Sequence, residues 1–281
     1  MIIIGEKING SIPIVAEAIA KRDSEFIKAR AKLQAESGAT FIDCCASVPE
    51  AEEVETLKWM IDCIQEVTDH PISIDSPSPD VLAQAYKFCK KPGIFNSVSG
   101  EGHKIDTIFP IMAEPGNEGW QVIALLSDNT GIPKCAADRL KVFDKIMAKA
   151  KEYGIAPDRI HIDPLVEMLC TSEDGIATNI ETITSVREQY PTIHITAAIS
   201  NISFNLPVRK LINYGFLLFL NFRFQPLNSF TQFLQIQLTS SLLYQLSLLC
   251  KPLYILYNNH PDQVMLLLHK PVQAYPYLSD P

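Results

Sequence analysis

The chain has 281 residues, of which 47% are hydrophobic and 20% charged, with a net charge of −8. That length suits one α/β barrel or two smaller domains, and the composition is that of an ordinary globular protein with a sizeable core. The acidic balance argues against a nucleic-acid surface; a secretory signal is not expected from the opening residues; and seven scattered cysteines without paired C-x-x-C spacing read as reduced thiols in a cytoplasm, not as a disulfide framework or a structural zinc site.

Strand and helix signals alternate at βα spacing over residues 1–216. IIIGEKI opens as a strand. Asp23 caps an amphipathic helix that runs to Ser37 and stops at Gly38. TFIDCC is the second strand, and Pro49 starts a long acidic helix through Val67 with Leu57, Ile61 and Ile64 on one face. PISID is the third strand, with Pro79 at the first position of the helix PDVLAQAYKFC. GIFNSVS is the fourth, followed by a helix near Lys104 to Met112. WQVIALL is the fifth, before a helix from Ala136 to Tyr153 stopped by Gly154. RIHIDP is the sixth, before a helix near Ile176 to Gln189. HITAAIS is the seventh, and a helix from Pro207 follows. Seven βα units in order predict a TIM (β/α)8-type barrel whose eighth unit is not legible. A doubly wound open sheet is the competing architecture.

The composition changes at Phe216. Residues 217–281 contain no Glu, no Gly and a single Ala, and are rich in Leu, Gln, Ser, Tyr and Pro. The apolar run is broken too often to span a membrane. Two domains are therefore expected: a barrel over 1–216 and an atypical tail over 217–281. Joint loss of Glu, Gly and Ala is a signature of out-of-frame translation, because natural sequences keep local signals consistent with their fold. An unusual C-terminal domain is the other reading.

Four strand-like runs end in a polar residue: Asp75, Asn96, Asp163 and Asn201. The C-terminal ends of barrel strands are where ligands and catalysis collect. Two carboxylates and two carboxamides meeting there would grip a flat heterocycle through its edge. Each has a plainer reading: Asp75 and Asp163 precede Pro-containing turns, Asn96 before Ser97 fits an Asx turn, and Asn201 can cap a loop. Their shared position favours a site. Glu6 and Asn9 end the first strand and touch ligand or support residues that do. Asp43 binds ligand or orders its neighbours. Arg209 opposes the helix macrodipole, so it faces a ligand or is simply solvated. Lys134 reads as a loop charge, His161 and His194 as core or rim residues, and Cys44 and Cys45 as buried small residues.

IIIGEKING, FIDCC, SIDSP, FNSVS, the TGIPK loop (Thr130 to Lys134), HIDPL and ISNIS-x-x-LP-x-R-x-LIN occur in order. Together they resemble the methyltetrahydrofolate–corrinoid protein methyltransferases, a family of pterin-binding TIM barrels. The resemblance covers residues 1–216 and none of 217–281. It implies that Asp75, Asn96 and Asp163 hold the pterin ring and that Asn201, as the catalytic residue, lies near N5. Asp43, Glu6, Asn9, Ser97 and Arg209 are further candidates. Cys45 stands where the family often has Asn, and Phe204 where some members have Gln.

The same resemblance implies methyltetrahydrofolate as substrate and a cobalamin-type corrinoid carried by a partner protein. Methyl transfer runs from N5 to cobalt(I), or in reverse. A D-x-H-x-x-G corrinoid motif is not found in this chain. A homodimer without nucleic-acid or membrane partners is expected, as is one-carbon metabolism in the cytoplasm. A dihydropteroate synthase-like enzyme is an alternative, although no basic pair is convincingly placed for its pyrophosphate. A folate-binding but catalytically inactive barrel is another.

Overall fold

Seven parallel strands lie side by side in the order β1-β2-β3-β4-β5-β6-β7 in the computed structural model, which describes residues 2–224. They are β1 (Ile4–Gly5), β2 (Phe41–Cys45), β3 (Ile72–Asp75), β4 (Ile94–Gly100), β5 (Gln121–Asp128), β6 (Ile160–Asp163) and β7 (His194–Ile195). The helices are α1 (Pro13–Ala20), α2 (Ser24–Glu36), α3 (Glu50–Val67), α4 (Pro79–Ala85), α5 (Lys104–Ala113), α6 (Ala136–Glu152), α7 (Gly175–Gln189) and α8 (Arg209–Phe224). Strands that pair in chain order are singly wound, as in a barrel. A doubly wound sheet would reverse its order at a switch point.

The sheet curls. Phe41 of β2, Ile94 of β4 and Ile123 of β5 form one buried cluster on its concave side, joined by Ile4 and Leu125. Side chains from strands that are not neighbours meet this way only when the sheet wraps around them. The convex side carries the larger core. Ile42, Cys44, Ile72, Ile74, Phe95, Val122, Ile160 and Ile162 pack there with the inner faces of the helices. Burial of each such Ile contributes about 1.5–3 kcal/mol. Alternation along a strand thus sends Phe41, Asp43 and Cys45 inward and Ile42 and Cys44 outward.

Local signals explain most boundaries. The Asp23 carboxylate accepts the Phe26 N–H at 3.1 Å and caps α2. Ser78 caps α4, with Pro79 in its first turn. Gly38 and Gly154 end α2 and α6 with φ of 89° and 69°, where a side chain would be strained.

Three expectations change. Helix α1 lies between the first strand and α2, where none was expected; Pro13 at its first position is its signal. Strand β1 has two residues where seven were predicted, and β7 has two where HITAAIS predicted seven. Both are outermost among the described strands, so one side of each has no ladder partner among the described residues. Beyond β7 the Thr196 N–H still donates to the Ile162 carbonyl at 2.8 Å, and then a 3-10 turn, Ile199–Ser203, takes over. Among the described residues no eighth strand joins β1 to β7. Helix α8 runs through Phe216, where the composition changes. The remainder of the expected tail domain, residues 225–281, lies outside the described residues.

Candidate functional site

Strands β2, β3, β4 and β6 bring acids and an amide to the concave face: Asp75 and Asp163 are the last residues of β3 and β6, while Asp43 and Asn96 lie inside β2 and β4. Register aligns them: Cys45 pairs with Asp75, Asp75 with Asn96, Asn96 with Ile123, and Leu125 with Asp163. Asp75, Asn96 and Asp163 therefore stand on one inner surface; Asp75 and Asp163 end their strands as expected, whereas β4 continues past Asn96 to Gly100, so Asn96 is not at a strand end. Ser97 follows Asn96 at a break in the β4–β5 register.

Asp43 lies deeper, with 1% of its surface exposed. One of its oxygens accepts from the Ser73 hydroxyl at 2.7 Å and from the Asn96 side-chain amide at 3.2 Å. Of the two roles open to Asp43, ordering of neighbours is the one these bonds describe. They turn the Asn96 Nδ2 toward Asp43, so its carbonyl oxygen is left as an acceptor for a ligand. Ser73, which the sequence reading missed, shares the inward face with Asp75 by simple alternation.

Asn9 bridges to Cys45, and its side-chain oxygen accepts from the Ser11 N–H at 2.8 Å and the Ser47 hydroxyl at 3.4 Å. Gly10 follows because a Cβ there would run into the Ala46 carbonyl. Asn9 thus closes the β1 loop onto the end of β2, which is a supporting role. Glu6 keeps access to solvent, yet the atoms around it raise its pKa, with the Asp75 charge adding to the rise.

Burial dominates the electrostatics. It raises the pKa of Asp43 well above the usual range, and Asp75 raises it further. Asp75 is also raised by burial, and Asp163 is pushed up to about 6 by burial against the opposing effect of its bond from the Leu165 N–H. The Cys45 thiol, 3.2 Å from the Ser47 hydroxyl, is pushed up to about 12 by burial and by Asp75. Four carboxyl groups crowded on one concave surface repel one another when ionised. A ligand edge rich in N–H donors relieves that repulsion.

Asn201 is not at the end of a buried strand. It sits in the Ile199–Ser203 turn with an exposed side chain that makes no hydrogen bond within the described residues. The turn is tied to the loop after β6: the Leu169 N–H donates to the Ile202 carbonyl at 3.1 Å, and the Cys170 thiol to the Phe204 carbonyl at 3.3 Å. Arg209 is neither free in solvent nor aimed at the acids. It donates to the Ser203 hydroxyl and the Ser200 carbonyl, both at 3.1 Å, and lies over the Phe204 ring. It staples the turn that carries Asn201. His161 bonds Gln121 at 2.6 Å and stacks on His194, as expected for core and rim residues.

A parallel barrel sheet with acids and amides collected at its C-terminal mouth defines a small-molecule-binding barrel. Residues 14–216 match the family described as pterin binding enzymes. The chain is 46% identical over 217 residues to the methylcorrinoid:tetrahydrofolate methyltransferase of Eubacterium limosum, covering 77% of this chain and 80% of that protein. It is 27% identical over 228 residues to the methionine synthase of Mycobacterium leprae, a match spanning 77% of this chain but only 19% of that protein. Among solved structures, a dihydropteroate synthase of Xanthomonas albilineans in complex with indole-2-carboxylic acid and 6-chloroguanine shares the fold with a TM-score of 0.52 at 18% identity, over 70% of this chain and 76% of that one. The chain belongs to the pterin-binding enzyme family.

The raised acids predict a measurable conflict between stability and function. Asp163 carries a folded-state pKa of about 6 against an ordinary value of 3.8. Such a group favours folding fully below the unfolded value, and that contribution is lost as pH rises through about 6. Asp163→Asn should therefore stabilise the ligand-free chain at pH 7.5 by up to ~3 kcal/mol, and the gain should vanish near pH 4. Paired thermal or denaturant unfolding curves across that range check it. A constant difference at all pH values would refute the burial account of Asp163.

Proposed function

We propose that the chain is a methyltransferase acting between N5 of the folate and the cobalt of a corrinoid protein. The pterin edge displays amine and amide N–H donors beside carbonyl and ring-nitrogen acceptors. Asp75 and Asp163 accept from the donors, and Asn96 supplies a carbonyl oxygen fixed by Asp43. The observation that carries this reading is the alignment of Asp75, Asn96 and Asp163 on one inner surface of a barrel whose sequence is close to a methylcorrinoid:tetrahydrofolate methyltransferase. That relative's name gives the folate as acceptor, so the transfer is read as running in either direction.

The corrinoid belongs to the partner and supplies the cobalt that gives or takes the methyl group. The residues of this chain orient the folate and shield it from water. Methyl leaves a tertiary amine poorly because the departing nitrogen gains electron density, which must be offset by a proton or a hydrogen bond. Asn201 is assigned that interaction. A carboxamide is no acid at neutral pH, so solvent provides the proton, and the Asn201 bond strengthens as N5 changes. Its turn is pinned by Arg209 and by the loop after β6, which limits how far Asn201 can move.

The barrel proper is assigned to residues 1–216 and a separate, out-of-frame tail to 217–281. A cytoplasmic homodimer completes the reading. The scattered spacing of the seven cysteines, without a disulfide framework pattern, supports that location.

Incubating the purified chain with methyltetrahydrofolate and a reduced corrinoid, or with methylcorrinoid and tetrahydrofolate, tests the reading directly. Folate binding without methyl transfer would make it an inactive pterin-binding barrel. Asn201→Ala should lower kcat about tenfold or more while changing folate affinity less, because the contact gains strength during the reaction. Equal losses in affinity and catalytic efficiency with kcat unchanged would instead make Asn201 a ground-state binder.

A further inference from the structure

Arg139 has no place in the pterin contacts above, yet it is the largest fully buried side chain, with 0% of its surface exposed. It lies in the first turn of α6, behind the mouth. Its Nε donates to the Pro133 carbonyl at 3.0 Å, within the TGIPK loop after β5. One terminal nitrogen donates to the Pro164 carbonyl at 2.6 Å and to the Leu165 carbonyl at 3.4 Å, in the loop after β6. The other pairs with Glu167 at 3.0 Å. One guanidinium thus ties two mouth loops together through three backbone carbonyls and a carboxylate.

Leu165 shows what this grip achieves. Its φ is +62°, in the left-handed region that a leucine rarely adopts. In that conformation its N–H donates to Asp163 Oδ1 at 2.8 Å. The carbonyls on both sides of the Leu165 φ/ψ pair are the two that Arg139 holds. Released, Leu165 would relax toward ordinary backbone angles and withdraw its N–H from Asp163.

We propose that Arg139 is a positioning residue that sets Asp163 for its ligand by locking the Leu165 backbone and the TGIPK loop. The inference rests on the assignment of Asp163 to the pterin edge. It supplies the reason that an arginine occupies a buried helical position: a planar fork can serve carbonyls of two loops at once, and a lysine cannot. The charge also matters at Asp163, whose charged neighbours are Glu6, which opposes ionisation, and Arg139, which favours it.

Two variants separate geometry from charge. Arg139→Lys keeps the cation and loses the fork. It should weaken methyltetrahydrofolate binding about tenfold, the factor for one lost bond to a charged group, with the pH midpoint of binding near that of the parent. Arg139→Met loses both and should also move the midpoint upward. Affinity and midpoint equal to the parent's in either folded variant would overturn the proposal. Should both fail to fold, Glu167→Gln loosens the same anchor at a partly exposed position and should weaken binding in the same direction; unchanged affinity there overturns it equally. Amide exchange of Leu165 without ligand gives a readout independent of the pterin assignment. It should accelerate about tenfold or more in Arg139→Lys while the core strands keep their protection. A parent chain that binds no methyltetrahydrofolate would refute the pterin reading alone, and an unaltered Leu165 exchange rate would refute the role of Arg139 alone.

Discussion

Asp75→Ala should weaken methyltetrahydrofolate binding by about 1.5–3 kcal/mol, roughly 10- to 150-fold, the range for a hydrogen bond to a charged group. Asp75 lies between Cys45 and Asn96 in the ladder and is half-buried, so a bound ring edge would desolvate it further. The neighbouring Cys45 thiol holds its pKa down against burial. Asp75 in turn raises Asp43, Glu6 and the Cys45 thiol. Removal of its charge relieves three neighbours at once. The variant should therefore fold at least as stably as the parent while binding folate poorly, a combination that general damage to the fold does not produce. Titration calorimetry beside thermal unfolding reads both quantities. A folded variant with unchanged affinity would remove Asp75 from the site.

The same alternation that places Asp75 explains how much could be read in advance. Strands β2, β3 and β6 are short apolar runs flanked by turn residues, and Asp75 and Asp163 end β3 and β6; β4 is longer than its apolar start suggests and carries Asn96 inside it. The sheet interior enforces those elements, because a one-residue slip would turn Asp43 and Asp75 into the helix layer. At the edges the signal fails. The apolar run of HITAAIS looks as strand-like as β6, but among the described residues β7 pairs on one side only, and the chain leaves the ladder after Thr196. Asn201 is consequently found in a turn instead of at a strand end. Arg209 is unusual for its place near a helix start, but its partners in that turn are set by tertiary contacts that no local pattern encodes. Arg139 had a weak signal: a charged residue on the buried face of α6 that also carries Val142, Phe143 and Ile146. A cation on the apolar stripe of an amphipathic helix implies a buried partner set, and here that set is two loops of the mouth.

Restoring an in-frame C-terminal βα unit in place of residues 217–281 should turn an unstable, aggregating or inactive chain into a cooperatively folding transferase. Three observations support this proposal. Composition changes at Phe216, with Glu and Gly absent beyond it and a single Ala remaining. The pterin-binding family match ends at residue 216 as well. Strands β1 and β7 each pair on one side only among the described residues. An open barrel exposes two rows of unpaired backbone groups beside the site, and such edges invite association with other chains. Closure would bury the outer edges of β1 and β7 and with them the floor on which Asp75 and Asp163 stand. The expected signature is a sharp thermal transition and methyl transfer in the repaired chain, against a broad transition or aggregation in the present chain. Resequencing the gene around codon 216 checks the cause separately. A chain that is soluble, cooperative and fully active as it stands would refute the frameshift and assign the closing of the barrel to the tail itself.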